Sequence, residues 1–305
     1  QADVPQFKFK KYNFDNVSII AKGNSNNLSI RGETYNLQIN DSLNIPRASF
    51  NINARNDSSR INIISGANRN VDTANLNALV LTYNDGVKID IDPSTFTVNG
   101  KLWSIDENGE LEFRSSQPAN GQLIIKSGEQ KITMKTEPSK TGGKSNDIKL
   151  QLTKINVGDF SPLFLPKNRL EGLVSGNIVI EDPGNKLKIS SDDIQTQFLR
   201  LDNDSLGEVK ATITYDNVNK ELKLKGSTLN EENYLGFDGS LYFGEGGVAK
   251  NNIISLKAKK FYLSVLERFL GDLFSDINGY LTGDIQLAGE FKNLSVTGKG
   301  KLLDA

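Results

Sequence analysis

Apolar and polar residues alternate along most of this chain. Val87, Ile89 and Ile91 interleave with Lys88, Asp90 and Asp92, and Leu111 and Phe113 sit between Glu110, Glu112 and Arg114. Ile132 and Met134 follow, then Ile148, Leu150 and Leu152. Beyond them come Ile178 with Ile180, Leu187 with Ile189, and the run Val209, Ala211, Ile213 and Tyr215. Leu222 with Leu224, Phe237 with Leu241, Leu281, Ile285 and Leu287, and Leu294 with Val296 continue the pattern. A period of two predicts strands with one apolar and one wet face. Asn84-Asp85-Gly86, Glu107-Asn108-Gly109, Asp182-Pro183-Gly184-Asn185 and Gly244-Glu245-Gly246-Gly247 are predicted as turns between runs. The stretch Glu137 to Asn146 reads as a loop inside the sheet.

Helical periodicity is confined to two places. Ser264-Val265-Leu266-Glu267 forms a capping box, with Phe269, Leu270, Leu273 and Phe274 on one face behind it. Ser161-Pro162-Leu163-Phe164-Leu165 is a shorter candidate, with Pro162 suited to the first helical position. The expected fold is all-β: an elongated, curled antiparallel or mixed sheet forming a groove, with one or two short amphipathic helices near 161–165 and 264–275.

The two plugs expose a repeat. Each lies between a strand end and the pattern apolar-x-Gly-x-x-x-Gly-polar-Ile, once at Leu170 to Ile178 and again at Ile277 to Ile285. Gly172 and Gly279 are 107 residues apart. The chain therefore reads as one continuous groove over 1–305, with repeat units of about 1–160, 161–276 and an incomplete 277–305.

Composition narrows the chemistry. The 305 residues include no histidine and no cysteine, and the net charge is -1. Histidine-based acid/base catalysis, Ser-His-Asp triads, thiol catalysis and cysteine zinc sites are excluded. A balanced charge disfavours nucleic acid. The longest aliphatic run, Ala78 to Leu81, is far below the roughly 18 apolar residues of a spanning helix. Neither a catalytic residue, a metal site nor a cofactor is expected. Asp202-Asn203-Asp204 begins like a calcium loop but has Leu206 and Ile213 where oxygen ligands are needed. Asp192-Asp193 and Glu231-Glu232 are neighbours that cannot flank one bond. Trp103, the sole tryptophan, reads as a packing residue, with a lipid-facing contact as the alternative.

Gly279, Gly283, Gly289 and Gly298 punctuate short amphipathic strands from Ile277 to Ala305. With Phe96 to Trp103 and its following Asp106 to Gly109, Gly128 to Ile132, and Ser205 to Val209, this resembles the TamB family of the AsmA-like group, in its Bacteroidota form. The resemblance covers about residues 75–305; residues 1–74 share the strand texture without a motif. It implies an interior segment of a β-taco protein, in the periplasm, anchored to the inner membrane by a segment outside this chain. It further implies no enzymatic activity, movement of phospholipid toward the outer membrane, and support of outer-membrane protein assembly with a BamA-like barrel partner of the TamA type.

The groove lining expected for phospholipid acyl chains is Ile89, Ile91, Leu111, Phe113, Ile132, Met134, Leu150, Leu152, Ile178, Ile180, Leu187, Ile189, Val209, Ile213, Leu222, Leu224, Phe237, Leu241, Leu281, Ile285, Leu287 and Val296. Exposing two acyl chains to water costs on the order of 25 kcal/mol, at about 0.8 kcal/mol per CH₂. A continuous apolar trough offsets that cost without any concentrated site. The alternative from another class is a right-handed β-helix acting on polysaccharide or serving as an adhesin.

Overall fold

The computed structural model describes residues 1–9, 12–24, 26–38, 44–66, 71–140, 142, 145–161, 169–202, 204–230, 232–243, 252–263, 279–290 and 293–304. Among these the chain is all-β, with 20 strands and one four-residue helix. It divides into two compact units, 1–138 with 159–167, and 139–158 with 168–305.

The first unit contains β1 (Ala2–Phe9), β2 (Tyr12–Gly23), β3 (Asn27–Gln38), β4 (Asn44–Arg55), β5 (Ser58–Ser65) and β6 (Val71–Tyr83). β7 (Gly86–Val98), β8 (Lys101–Ile105), β9 (Gly109–Arg114), β10 (Asn120–Ser127) and β11 (Gln130–Glu137) complete it. Consecutive strands pair antiparallel from β1 to β8. The β7–β8 hairpin turns at Asn99-Gly100, where φ is 50° and 74°. Positive φ at both central residues is the Asn-Gly turn whose twist matches paired strands.

Glu107-Asn108-Gly109 is a turn between the β8 and β9 runs, as its sequence reads, but it does not reverse the chain. β8 and β9 both lie against β7, Ser94 opposite Ile105 and Ile91 opposite Gly109. β10 pairs with both as well. The two are one interrupted strand. The interruption faces Pro93, which has no N–H for the ladder.

The second unit contains β12 (Asp147–Asn156), β13 (Leu170–Glu181), β14 (Lys188–Leu201), β15 (Asp204–Asp216) and β16 (Glu221–Thr228). β17 (Tyr234–Tyr242), β18 (Asn252–Tyr262), β19 (Tyr280–Glu290) and β20 (Asn293–Leu303) follow. Every neighbour in this series is antiparallel.

The repeat has a structural counterpart inside this unit. Bulges shift the register between Leu152 and Ile155 on β12, and between Ala258 and Phe261 on β18. Each contains a left-handed lysine, Lys154 at φ 48° and Lys260 at φ 47°. Each lysine N–H donates across the sheet at 2.9 Å, to Ser175 Oγ and to Thr282 Oγ1. Ser175 and Thr282 directly precede Gly176 and Gly283, so the recurring pattern encodes a recurring bulge.

The helix, α1 (Val157–Phe160), begins four residues before the expected one. Val157 opens it directly after β12 ends at Asn156, and Ser161 adds a single tighter turn. Positions 162–165 and the 264–275 helix lie outside the described residues.

Candidate functional site

Cross-strand partners share a sheet face, so register assigns every side chain to one side. In the first unit one row runs Leu28, Ala54, Ser59, Val80, Ile89, Leu111 and Gly121. Beside it run Ile30, Ile52, Ile61, Ala78 and Ile91. Phe113 opposes Val87, Met134 opposes Leu123, and Ile132 opposes Ile125, all on this same face. The structure thus gathers Ile89, Ile91, Leu111, Phe113, Ile132 and Met134 on one surface. It remains accessible: Ile63 is 41% and Phe113 48% exposed.

The second unit repeats the arrangement. Ile148, Ile180, Ile189, Tyr215, Leu222 and Leu241 form one row across six strands. Ser191, Ile213, Leu224, Gly239, Ile254, Leu287 and Val296 form the next. Ala211, Gly226, Phe237, Leu256, Ile285 and Gly298 form a third. Leu150 opposes Ile178, Leu152 opposes Gly176, and Val209 and Leu281 lie on this face toward one end of the strands. Leu187 precedes β14 and lies outside the ladder; its carbonyl accepts the Asn217 N–H.

Burial along the face is graded. Val209, Leu235, Leu256, Ala258, Phe261, Leu281 and Leu287 are buried, while Leu150, Ile178, Ile189, Ile213, Leu224, Phe237, Ile285 and Val296 are partly exposed. Glycines keep the surface low. The Phe237 ring occupies the space a Cβ on Gly226 would take, and Phe50 does the same over Gly32. These rings lie flat over neighbouring strands rather than standing into the space above the sheet.

Ile254 and Leu256 were readable from their alternation with Ser255 and Lys257, yet are absent from the expected lining. Ile30, Ile52 and Ile61 fall in the stretch without a motif.

The other face is polar and locally paired. Lys88 Nζ lies 3.0 Å from Asp90 and 3.1 Å from Glu110, and these carboxylates raise its pKa. Arg47 pairs with Glu33 at 2.8 Å beneath Tyr35, and Asn62 bridges Asn75 and Asn77. Glu221 is held below the ordinary carboxylate range chiefly by the Tyr242 hydroxyl, 2.7 Å away.

One buried polar cluster stands apart, in the first unit. Asp159 of α1 accepts from Lys101 Nζ at 2.8 Å and from Gln130 Nε2 at 3.1 Å. Beside it Trp103, fully buried, stacks near Phe96 and tilts against Phe160 at 5.2 Å. This cluster anchors α1, through one acid held between a lysine of β8 and a glutamine of β11.

No group of residues able to hold a metal ion occurs among the described residues. Asp90 and Asp92 meet Lys88 and Arg60 instead. Asp202 accepts the Arg169 N–H, which makes it a turn residue, and Asp193 accepts from Asn177. No family model, no curated protein and no solved structure matches the chain.

Proposed function

We propose that this chain is a periplasmic segment of an intermembrane bridge of the TamB type, whose apolar sheet face carries phospholipid acyl chains toward the outer membrane. In the whole protein it would be anchored to the inner membrane and would support outer-membrane protein assembly with a BamA-like barrel. The observation that carries the reading is register continuity: within each unit, rows of apolar side chains pass from strand to strand on one face. The longest row of the second unit crosses seven strands, a path of roughly 29 Å at about 4.8 Å per strand. An acyl chain fills one leaflet, about 15 Å of hydrocarbon. A row longer than its occupant, built of aliphatic side chains and small residues without a single deep pocket along it among the described residues, suits movement better than retention. Antiparallel ladders throughout also separate this fold from a β-helix, whose rungs stack in parallel.

The test places a photoreactive residue at position 213 in the intact chain with phospholipid vesicles, alongside Ile213→Asp. Lipid adducts at 213, with a near-normal melt for the Asp variant, are expected, because its carboxylate can reach water. A collapse of the melting temperature without an adduct would mean a closed core and defeat the conduit reading.

A further inference from the structure

The polar face of the second unit changes character at one corner. On β18, β19 and β20 it presents Lys257, Lys259, Lys260, Lys299 and Lys301, all exposed, against three exposed acids: Asp284, in register between Lys257 and Lys299, Glu290 at the far end of β19, and Asp304 after β20. Tyr262 and Tyr280 face each other across β18 and β19, ring centroids 5.5 Å apart, and Leu303 lies opposite Tyr280 on β20. These three are 42%, 40% and 40% exposed. They are on the face opposite the acyl row, because Phe261 and Leu281, one position away in register, are buried on the other side. Several cations elsewhere on the polar faces meet acids: Lys225 with Asp238 in the second unit, and Lys88 with Asp90 and Glu110 and Arg114 with Asp85 in the first.

We infer that this corner is a docking surface for an anionic phospholipid bilayer. It combines excess positive charge with amphipathic rings and a leucine at one level. That pairing suits a headgroup layer, where tyrosine keeps its hydroxyl wet and lysine extends its ammonium over the apolar stem. A protein partner is disfavoured by the cations themselves. All five are lysines, which are depleted at protein interfaces where arginine is enriched, and a point-like ammonium suits diffuse attraction better than planar bidentate pairing. The occupant differs from that of the acyl row: a membrane surface held on the outer side, not single chains on the inner side.

The experiment is co-sedimentation of the full chain with vesicles of phosphatidylglycerol and phosphatidylcholine in equal parts, and of phosphatidylcholine alone, at low and high salt. Binding to the anionic vesicles, weakened by salt, is expected. Each lysine near such a surface contributes on the order of fivefold, so Lys259→Gln with Lys301→Gln should weaken binding roughly 25-fold. Tyr262→Ser with Tyr280→Ser should weaken what survives at high salt. Lys135→Gln, an exposed lysine on the first unit, should change nothing. Circular dichroism of each variant establishes that it is folded. Equal binding to both vesicle types, equal loss from the Lys135 control, or retention on polyglutamate without vesicle binding would each overturn the inference. Because position 213 reports on the opposite face, its lipid adducts can fail while vesicle binding survives, or the reverse.

Discussion

The Lys101–Asp159 pair should respond asymmetrically to loss of its two partners. The ion pair is 2.8 Å long, but its ends differ: the Asp159 side chain is 11% exposed and that of Lys101 38%. Lys101→Met leaves a mostly buried carboxylate without its opposite charge, and breaking a buried pair this way costs about 3 kcal/mol. Asp159→Asn keeps an oxygen to accept from Gln130 Nε2, now 3.1 Å away, and leaves an ammonium that can turn to solvent. That change should cost about 1 kcal/mol. For a unit of this size each kcal/mol is about 2–4 °C of melting temperature, so the expected losses are about 6–12 °C and about 2–4 °C. Thermal unfolding followed by circular dichroism, with calorimetry to separate the two units, reads both. The double variant Lys101→Met with Asp159→Leu removes both charges and should recover most of the loss, since apolar replacement of a buried pair is often neutral. Equal losses for the two single variants, or a double variant worse than either, would refute the reasoning.

Three further outcomes are expected. Thr228, 3% exposed, accepts the Leu235 N–H at 2.9 Å, so Thr228→Val should lower stability by about 1–3 kcal/mol in denaturant titration through an unpaired buried donor. Gly283 has φ 156°, and a Cβ there would come 2.3 Å from the Lys299 carbonyl oxygen; Gly283→Ala should open the β19–β20 ladder and speed hydrogen exchange along β20. In acid, stability should fall: Asp85, Asp182 and Asp216 lie below their ordinary 3.8 and Glu221 below 4.5, held down chiefly by Ser116, the Lys186 N–H, the Asn219 N–H and Tyr242. Their contribution is complete above the ordinary values and is lost as pH drops through the lowered folded ones, so denaturation midpoints measured from pH 6 downward should decline below about pH 4.5, and less steeply in Asp85→Asn.

Strand positions were legible because the side-chain period of a strand is two, and a half-wet sheet writes that period into residue choice. The Val87–Ile91, Ile148–Leu152 and Val209–Tyr215 runs each became a strand with its apolar residues on a single face. What alternation could not carry was direction and interruption. Nothing local to Glu107-Asn108-Gly109 distinguishes a hairpin from a break within one strand. The distinction comes from Pro93, which is adjacent only after β7 pairs. The run Ala78-Leu79-Val80-Leu81 is similarly ambiguous alone; pairing sends Ala78 and Val80 to the apolar face, opposite Ile91 and Ile89, and Leu79 to the side of Asp90. α1 was invisible for a related reason. Val157-Gly158-Asp159-Phe160 has no helical stripe, and its placement follows from the contacts of Asp159 and Phe160 with Lys101, Gln130 and Trp103, distant in sequence.

The paired bulges explain why the repeat could be read so far apart. A bulge inserts a residue and would turn the rest of its strand inside out if nothing absorbed it. Here Lys154 and Lys260 take the left-handed conformation, and the hydroxyl of Ser175 or Thr282 takes up the displaced N–H. The next ladder pair then returns an apolar residue, Ile155 or Phe261, to the same side as Leu152 or Ala258. Such a device is needed only if the two sides of the sheet must stay chemically distinct beyond the bulge. A stability role alone would be met by either side being apolar locally. Preserving one apolar side through successive bulges makes the rows of the second unit a property of the whole strand series. Removing the device should therefore alter lipid crosslinking on both sides of the bulge. With Ser175→Ala and Thr282→Val combined, adduct formation should decline at Leu152 and at Ile285 while position 213, away from both bulges, keeps its yield. Uniform loss at all three positions would instead mean global loosening of the sheet.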